Sequence, residues 1–229
     1  MTSEHHSMKE TISKKRWNEI YKKQIDISID KTLPPIMDVF KEYKVRKVLD
    51  LACGSGRHIL YMAKLGFEVY GIDISEVGIE AAKSLLYSNN LHAELTVGSI
   101  YKKLPYEDNF FDGTICIRSL NHGTIDDIGK LIKEMERVLK PRGLVYITVR
   151  KKVAKKKRLP FKEIAPRTYI PLEGKEKGIV HYLFNKSILR KEFHNFEIHK
   201  LWVEYGPEDW EAYYCLLGEL KVKGDYNES

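Results

Sequence analysis

The stretch VLDLACGSGRH, from Val48 to His58, decides the fold class. The apolar run around Asp50 predicts a buried strand, and Gly54 and Gly56 predict a tight turn that leads into a helix. Such a turn lets the backbone pass close to a ligand, toward which the N-terminus of the helix also points. The stretch therefore predicts a nucleotide-type ligand, although several cofactors are bound in this way.

The spacing of the glycines narrows the choice of cofactor. A dinucleotide-binding turn has a third glycine three residues after the second, where it lets the helix pack closely on the strand. In this sequence that position is Ile59. A cofactor without a pyrophosphate is therefore favoured. Asp73, at the end of the next strand-like run, can accept hydrogen bonds from both hydroxyls of a ribose.

Strand-like and helix-like segments alternate outward from this turn. Strands connected by helices form a parallel sheet with helices on both faces. A short helix ends the pattern, followed by an antiparallel hairpin whose two strands are separated by the turn signal GPED. The predicted strands are 45–52, 68–74, 93–99, 111–119, 144–149, 197–205 and 211–221, and the predicted helices are 58–66, 75–90, 124–143 and 186–196, the third stopped by Pro141 and Gly143.

The order of these segments predicts an N-terminal helical cap, residues 1–44, and a main domain, residues 45–229. In the cap, Trp17 and Tyr21 share one helical face. Within the main domain, the insertion 151–184 is too long for a routine connection. It follows the fifth strand at the carboxyl ends of the strands, where open α/β sheets bind their ligands, and we expect it to act as a lid.

The composition fits one globular domain of 229 residues, 43% of them hydrophobic and 31% charged. No apolar run approaches the roughly 20 residues that cross a bilayer, and the polar N-terminus lacks the apolar segment of a signal peptide. We therefore expect a cytoplasmic protein without a membrane partner. Three widely spaced cysteines, and no spacing such as HExxH, predict neither a disulfide framework nor a metal site.

The formal net charge of +7 is concentrated in RKKVAKKKR, Arg150 to Arg158. Such a run can bind nucleic acid or acidic lipid. The aromatic or glycine residues that interleave such runs in single-strand binders are missing, which favours a solvated loop. Nucleic acid is therefore not the expected partner.

Four successive motifs resemble those of one family: VLDLACGSG, VYGIDIS, LPYEDNFFDGTICIRSLNH and LKPRGLVYITV. They are similar to class I S-adenosylmethionine-dependent methyltransferases of the small-molecule type, UbiE-like or tellurite-resistance-like, over about residues 17–221. The resemblance implies a Rossmann-like, doubly wound, seven-stranded sheet, mostly parallel with an antiparallel C-terminal hairpin. It also implies S-adenosylmethionine as cofactor and a small-molecule acceptor of the methyl group.

The resemblance also implies roles for the cofactor-binding residues. Four residues of the glycine turn would form the floor under the methionine part, and Tyr21 would lie near its carboxylate, unless it only packs the cap onto the sheet. Asp73 would bind the ribose. Ile74 and Ile100 would lie against the adenine, and Ser99 stands where many relatives have an acid. The backbone of Arg118 would accept a hydrogen bond from the cofactor ammonium. The four floor residues are Asp50, Ala52, Gly54 and Gly56.

Two residues beside the glycine turn keep two interpretations each. Arg57 could pair with the cofactor carboxylate or face solvent, since an arginine at a helix start opposes the macrodipole. His58 could line the pocket or pack in the first turn of the helix.

The chemistry limits which catalytic residues a sequence can indicate. Methyl transfer from a sulfonium needs alignment and exclusion of water, and needs a base only if the acceptor loses a proton. His122 follows the fourth strand at the crevice and is a candidate for contact with the acceptor, or else a loop residue that caps a helix. Further candidates in the insertion resemble a lid segment of tellurite-resistance-like relatives, or else form a hairpin over the sheet edge: Arg167, Tyr169, His181 and Tyr182.

Three alternatives to a small-molecule methyltransferase remain open. An RNA methyltransferase would use the basic run 150–158, although no separate RNA-binding module is present. A non-catalytic protein could bind S-adenosylmethionine as a regulator. An NAD-dependent reductase is disfavoured by Ile59. The sequence predicts neither the acceptor nor the oligomeric state.

Overall fold

A computed structural model describes residues 3–151, 160–206 and 212–222, with side chains from residue 8 onward. Six helices and ten strands follow one another in these ranges. The helices are α1 (Ser3–Lys23), α2 (Leu33–Glu42), α3 (Arg57–Lys64), α4 (Glu76–Tyr87), α5 (Ile125–Val138) and α6 (Lys186–Glu192). The strands are β1 (Lys47–Leu51), β2 (Glu68–Asp73), β3 (Glu94–Val97), β4 (Phe111–Ile117), β5 (Leu139–Arg150), β6 (Phe161–Ala165), β7 (Thr168–Pro171), β8 (His181–Tyr182), β9 (Phe196–Tyr205) and β10 (Ala212–Leu220).

Seven strands form the main sheet in the order β3-β2-β1-β4-β5-β10-β9. The pairs among β1 to β5 are parallel, and β10 runs antiparallel to both β5 and β9. The predicted fold class, including the C-terminal hairpin, is confirmed; the turn GPED lies largely outside the described residues. Because β1 has β2 on one side and β4 on the other, the winding reverses at β1, and a crevice opens beyond the carboxyl ends of these strands.

Both faces of the sheet are buried, which explains the near-continuous apolar strands. In β1, Val48 packs into one hydrophobic cluster with α2 and α3, while Leu49 and Leu51 pack into another with α5 and α6. Successive side chains of a strand point to opposite faces, so one short strand joins the two cores. Val48, Leu49 and Leu51 are fully buried, and their burial holds the glycine turn at a fixed place above the core.

The third predicted helix ends earlier than expected. α5 begins with a capping box, in which Thr124 accepts from the backbone of Asp127 and the Asp127 carboxylate accepts from the backbone of Thr124. It ends at Val138, because Leu139 is extended and pairs with Phe111 as the first residue of β5. The prediction that the helix continues to Pro141 was wrong, since strand pairing ends the helix before the proline does.

The end of the insertion forms a second sheet of three antiparallel strands, in the order β6-β7-β8. It is connected to α1: the Arg16 guanidinium donates to the carbonyl oxygens of Gly174 at 2.7 Å and Lys175 at 2.8 Å. On its other side α1 contacts the main sheet's helices, since Ser75 Oγ donates to Asn18 Oδ1 at 2.6 Å. Helix α1 therefore contacts both the insertion and the start of α4. Among the described residues, none of the helices has the length and apolarity needed to span a membrane.

Candidate active site

The glycine turn after β1 adopts the left-handed backbone conformation three times. Ala52, Gly54 and Gly56 have φ angles of 63°, 56° and 83°. The turn is attached to β2, because the amides of Ala52 and Cys53 donate to the carbonyl of Ile72 at 2.8 and 3.1 Å. The backbone conformation of Ala52 favours glycine and is strained for a residue with a side chain, and these hydrogen bonds stabilise it.

The two glycines serve different contacts. A Cβ atom on Gly54 would collide with the Tyr21 hydroxyl oxygen, so glycine here lets α1 approach the turn. A Cβ atom on Gly56 would lie 2.6 Å from the Cβ of Ala82, so glycine here lets α3 pack on α4. Close backbone approach is the usual reason for glycine at such a turn.

Asp73 is buried at the end of β2 and accepts two backbone hydrogen bonds. Gly54 N donates to Oδ2 and Ser75 N donates to Oδ1, each at 2.8 Å. Burial raises the pKa of Asp73 to about 6, against the lowering effect of these two hydrogen bonds. Each carboxylate oxygen has a second lone pair, so Asp73 can also accept from a ligand's hydroxyls.

Asp50 lies beneath the turn and is 1% exposed. Its Oδ2 atom has no hydrogen-bond partner among the described residues. Burial, together with the negative charge of Asp73, raises the pKa of Asp50 to about 8. Two carboxyl groups are therefore buried side by side under the turn, an arrangement that the apolar sequence around them does not explain.

A cleft opens above the turn at the carboxyl ends of the strands. It encloses about 820 Å³ of empty space, part of it open to solvent. Its walls come from α1, the strand ends and the insertion: Lys9, Glu10, Ser13, Trp17, Tyr21, Ala52, Asp73, Ile74, Ser99, Ile100, Tyr101, Ser119, His122, Gly123, Asp127 and Val180.

A cluster of three ionisable side chains stands at one end of the cleft. His122 lines the cleft, and its ring centroid is 4.8 Å from that of His181 behind it. Glu176 lies against both, with Oε2 3.4 Å from His181 Nε2 and Oε1 3.9 Å from His122 Nε2. Tyr169 stacks on the His181 ring at 5.1 Å. The insertion thus brings His181 and Tyr169 to His122, although these residues are far apart in sequence.

The two histidines of this cluster are neutral at physiological pH. Burial lowers the pKa of His122, while Glu176 raises it and Arg150 lowers it. Burial, with His122 and Arg150 nearby, lowers the pKa of His181 to about 2. Their ring nitrogens therefore keep free lone pairs.

Two further candidates from the insertion do not line the cleft. Arg167 Nε donates to the carbonyl of Leu183 at 2.5 Å. Tyr182 packs on Phe184 with 5.1 Å between ring centroids and belongs to the hydrophobic core. Both side chains contribute to folding of the insertion, and the structure does not bring them to His122.

Three residues near the turn point away from the cleft. Arg57 forms an ion pair with Asp26, with 2.5 Å between Nη1 and Oδ2. This pair matches neither predicted alternative, a contact with the cofactor carboxylate or a side chain free in solvent. His58 is buried and accepts from the amide of Asp30 at 3.3 Å, so it packs in the helix. The Arg118 guanidinium pairs with Asp30 at 2.8 Å, while its backbone, with φ of 59°, stays at the end of β4.

Sequence reasoning missed Glu176 as well as Tyr101 and Asp127 of the cleft wall. Glu176 lies in the turn EGKEKG, which looks like a solvated loop, and only the folded insertion brings it to the histidines. Tyr101 donates to the carbonyl of Leu120 at 3.2 Å. Asp127 does carry a signal, since Thr124 and Asp127 have the spacing of a capping box.

Comparison with known proteins identifies the domain that contains the turn. Residues 48–143 match a family model described as a methyltransferase domain. This part of the chain is therefore similar to methyltransferase domains. The model covers the turn after β1, Asp73 and His122, and ends within β5.

The curated relatives of this segment include a named enzyme. A ubiquinone biosynthesis O-methyltransferase of Pelagibacter ubique is 31% identical over 127 residues, which are 52% of this chain and 51% of that protein. The chain spans about half, or less, of the length of the curated relatives it matches.

Solved structures share the architecture over a larger part of the chain. A 1,6-didemethyltoxoflavin-N1-methyltransferase of Burkholderia thailandensis, solved with 1,6-didemethyltoxoflavin and S-adenosylhomocysteine, is 16% identical with a TM-score of 0.74. The match covers 97% of this chain and 92% of that one. A protein of Pyrococcus horikoshii is 26% identical with a TM-score of 0.67, over 86% of this chain and 94% of its own. The fold that the chain shares with these structures therefore extends through the C-terminal hairpin.

The residues of the cleft fit the cofactor of this family. Apolar Ile74 and Ile100 flank the polar Asp73 and Ser99, as an aromatic base next to a ribose requires. The strained turn at Ala52 opens into the same cleft. This donor set suits S-adenosylmethionine, whose nucleoside needs hydroxyl acceptors and apolar walls and whose methionine part carries no phosphate.

Proposed function

We propose that the protein transfers a methyl group from S-adenosylmethionine to a small-molecule acceptor. The observation that carries the proposal is the cleft, which runs without interruption from the glycine turn, past Asp73, to His122. When bound, S-adenosylmethionine supplies a methyl group on a positively charged sulfur that an acceptor atom attacks in line. The acceptor then lies between the turn and His122.

In this proposal the chain's own residues bind each part of the cofactor. Asp73 accepts hydrogen bonds from the ribose hydroxyls, while Ser99, Ile74 and Ile100 contact the adenine base. The strained turn at Ala52 holds the methionine part. Tyr21 covers that part from α1, and burial, together with Asp73, raises the pKa of its hydroxyl, so it stays a hydrogen-bond donor. The backbone of Arg118 accepts from the cofactor ammonium, and Asp50 supports the floor.

The acceptor end of the cleft aligns the acceptor and excludes water. Trp17 and Tyr101 provide aromatic walls, and Val180 contributes an apolar wall from the insertion. His122 offers a ring nitrogen for a hydrogen bond to the acceptor, with His181 behind it. Arg167 and Tyr182 keep only an indirect role, through the shape of the insertion.

We further propose that residues 1–44 form a cap and that residues 151–184 act as a lid on the main domain. Two observations support this division: α1 and Val180 both border the cleft, and Arg16 connects α1 to the carbonyls of the insertion. An acceptor of small size is supported by the named activity of the ubiquinone O-methyltransferase relative. A cytoplasmic location stays a prediction of the sequence.

Calorimetric titration tests the cofactor first. S-adenosylmethionine and S-adenosylhomocysteine should bind, and NAD should not, because Ile59 takes the place of the third glycine. Asp73→Asn should weaken binding of S-adenosylhomocysteine by about 10-fold or more, since a hydrogen bond to a charged group contributes about 1.5–3 kcal/mol. Asp126→Asn, an acid in the first turn of α5, is the control. Equal or tighter binding of NAD would contradict the proposal.

The acceptor class is tested separately. S-adenosylhomocysteine should form with a panel of small phenols, amines and thiols, and binding to RNA should be weak and without consequence for turnover. Replacing Lys155, Lys156 and Lys157 by Ser, three residues of the basic run that lie outside the described residues, should leave turnover of a small molecule intact. Loss of a salt-dependent affinity for RNA in that variant would favour an RNA methyltransferase. Cofactor binding with no turnover on any acceptor would favour a non-catalytic regulator.

A further inference from the structure

His122, Glu176 and His181 form a group that methyl transfer does not require. One ligand atom from each residue lies within 4.8 Å of the others. The separation of 3.4 Å between Glu176 Oε2 and His181 Nε2 is already that of two ligands on one ion. Bonds of about 2.0–2.2 Å to a metal place neighbouring ligand atoms about 3–3.5 Å apart. His122 Nε2, at 3.9 Å from Glu176 Oε1, needs only a small movement.

The burial of His181 points independently to a missing ligand. Its side chain is 1% exposed, and neither Nδ1 nor Nε2 has a hydrogen-bond partner among the described residues. A buried polar group without a partner costs free energy, and buried polar groups in native proteins are almost always satisfied. Its Nε2 atom lies 3.4 Å from Glu176 Oε2 without a hydrogen bond between them. A ligand bound by both atoms would give Nε2 a partner.

Donor chemistry selects the kind of ligand. Two neutral imidazoles and one carboxylate are the ligand set of a divalent first-row transition metal, and three ligands on one side leave coordination positions open. His122 borders the cleft, so the open positions face the acceptor end. Alkali and alkaline-earth ions prefer oxygen ligands and do not match a site with two imidazoles.

One neighbouring charge opposes a cation at this place. The Arg150 guanidinium lies 3.8 Å from Glu176 Oε2, at the end of β5. At that distance it offsets part of the negative charge of the carboxylate. A metal ion would therefore compete with Arg150 for Glu176, and removal of the guanidinium should strengthen metal binding.

We propose that His122, Glu176 and His181 bind one divalent transition-metal ion at the acceptor end of the cleft. Binding of the ion is independent of the proposed methyl transfer. A role for the ion in turnover rests on the proposed methyl transfer: an open coordination position on the ion would hold an oxygen or nitrogen atom of the acceptor. The acceptors would then carry a chelating or acidic group.

Cobalt(II) titration of protein without an affinity tag, after treatment with a chelator, tests the site. Visible d–d absorption should appear with a stoichiometry of one. His181→Gln and Glu176→Gln should each weaken Co²⁺ binding by at least about 10–100-fold, since that range is already seen when an outer-shell partner of a metal ligand is lost. His199→Gln is the matched control, because His199 also faces a carboxylate, with Nε2 3.8 Å from Glu219 Oε2. It should leave Co²⁺ binding unchanged, and Arg150→Gln should strengthen it.

X-ray absorption at the cobalt edge of the wild-type protein keeps the test independent of how the variants fold. It should show imidazole ligands at about 2.0–2.1 Å. No saturable absorption in the wild type, or equal Co²⁺ affinity in His181→Gln, Glu176→Gln and the wild type, would overturn the metal site. Failure of S-adenosylmethionine to bind while Co²⁺ binds would overturn the proposed function and leave the site intact.

Discussion

The two sides of the cleft are held in different ways. On the sheet side, backbone atoms fix the geometry: the turn at Ala52 to Gly56 hydrogen-bonds to β2, and Asp73 accepts from two amides. On the cover side, α1 and the insertion meet through side chains, as in the contact of Arg16 with Gly174, 158 residues away. The sheet side is therefore formed locally and with the core, whereas the cover side depends on a few long-range contacts.

The strongest test of the sheet side is Gly54→Ala. The new Cβ atom would collide with the Tyr21 hydroxyl, and the residue has a φ of 56°. We expect S-adenosylhomocysteine affinity to fall by about 100-fold or more, equivalent to about 2.7 kcal/mol, because both α1 and the turn must shift. Calorimetry on the folded variant measures this loss.

Gly66→Ala separates strain from collision. Gly66 has a φ of 85°, and no atom lies within 4 Å of the place that a Cβ would take, so alanine there causes backbone strain alone. That strain should lower the free energy of unfolding by about 1–2 kcal/mol and leave the affinity for the cofactor unchanged. If the two variants bound the cofactor equally well, the close approach of Tyr21 to the turn would not matter for binding.

The buried carboxyl pair beneath the turn should make stability depend on pH. The pKa of Asp50 is raised to about 8 in the folded protein, above its value of 3.8 when unfolded. The unfolded chain therefore releases this proton first, and the stability associated with it is full below about pH 4 and lost as the pH rises toward 8. Asp50→Asn should flatten this decline and raise the Tm at pH 8 relative to the wild type.

Thermal unfolding between pH 4 and 8 measures the effect, and each kcal/mol at this size corresponds to about 2–4 °C. Asp38→Asn, in which an exposed acid on α2 loses its charge, is the control. A wild-type slope that persists in Asp50→Asn would assign the pH dependence to other groups, such as Asp73 with its pKa of about 6.

The difference between the sheet side, formed by neighbouring residues, and the cover side, formed by long-range contacts, explains how much the sequence could predict. β1, the glycine turn and Asp73 lie within 26 residues of one another, from Val48 to Asp73, and their apolar and glycine patterns carry local information. The cluster around Glu176 carries none, because a turn rich in Lys, Glu and Gly resembles any solvated loop. Arg57 and Arg118 pair with acids of the segment between α1 and α2, and only tertiary structure selects those partners.

The smallest expected effect is on the cover side, where Arg16→Ala removes two hydrogen bonds to the carbonyls of Gly174 and Lys175. The guanidinium is partly exposed, so the loss should be about 1 kcal/mol, and the Tm should fall by no more than about 2–4 °C. Hydrogen exchange should become faster in residues 172–183 and stay the same in β1, because local opening of the cover does not require unfolding of the core. Lys83→Ala, which breaks an exposed pair with Glu80 on α4, is the control and should change neither region. Unchanged exchange in residues 172–183 of Arg16→Ala would mean that the insertion is held in place without α1, and the two sides of the cleft would then be equally independent of long-range side-chain contacts.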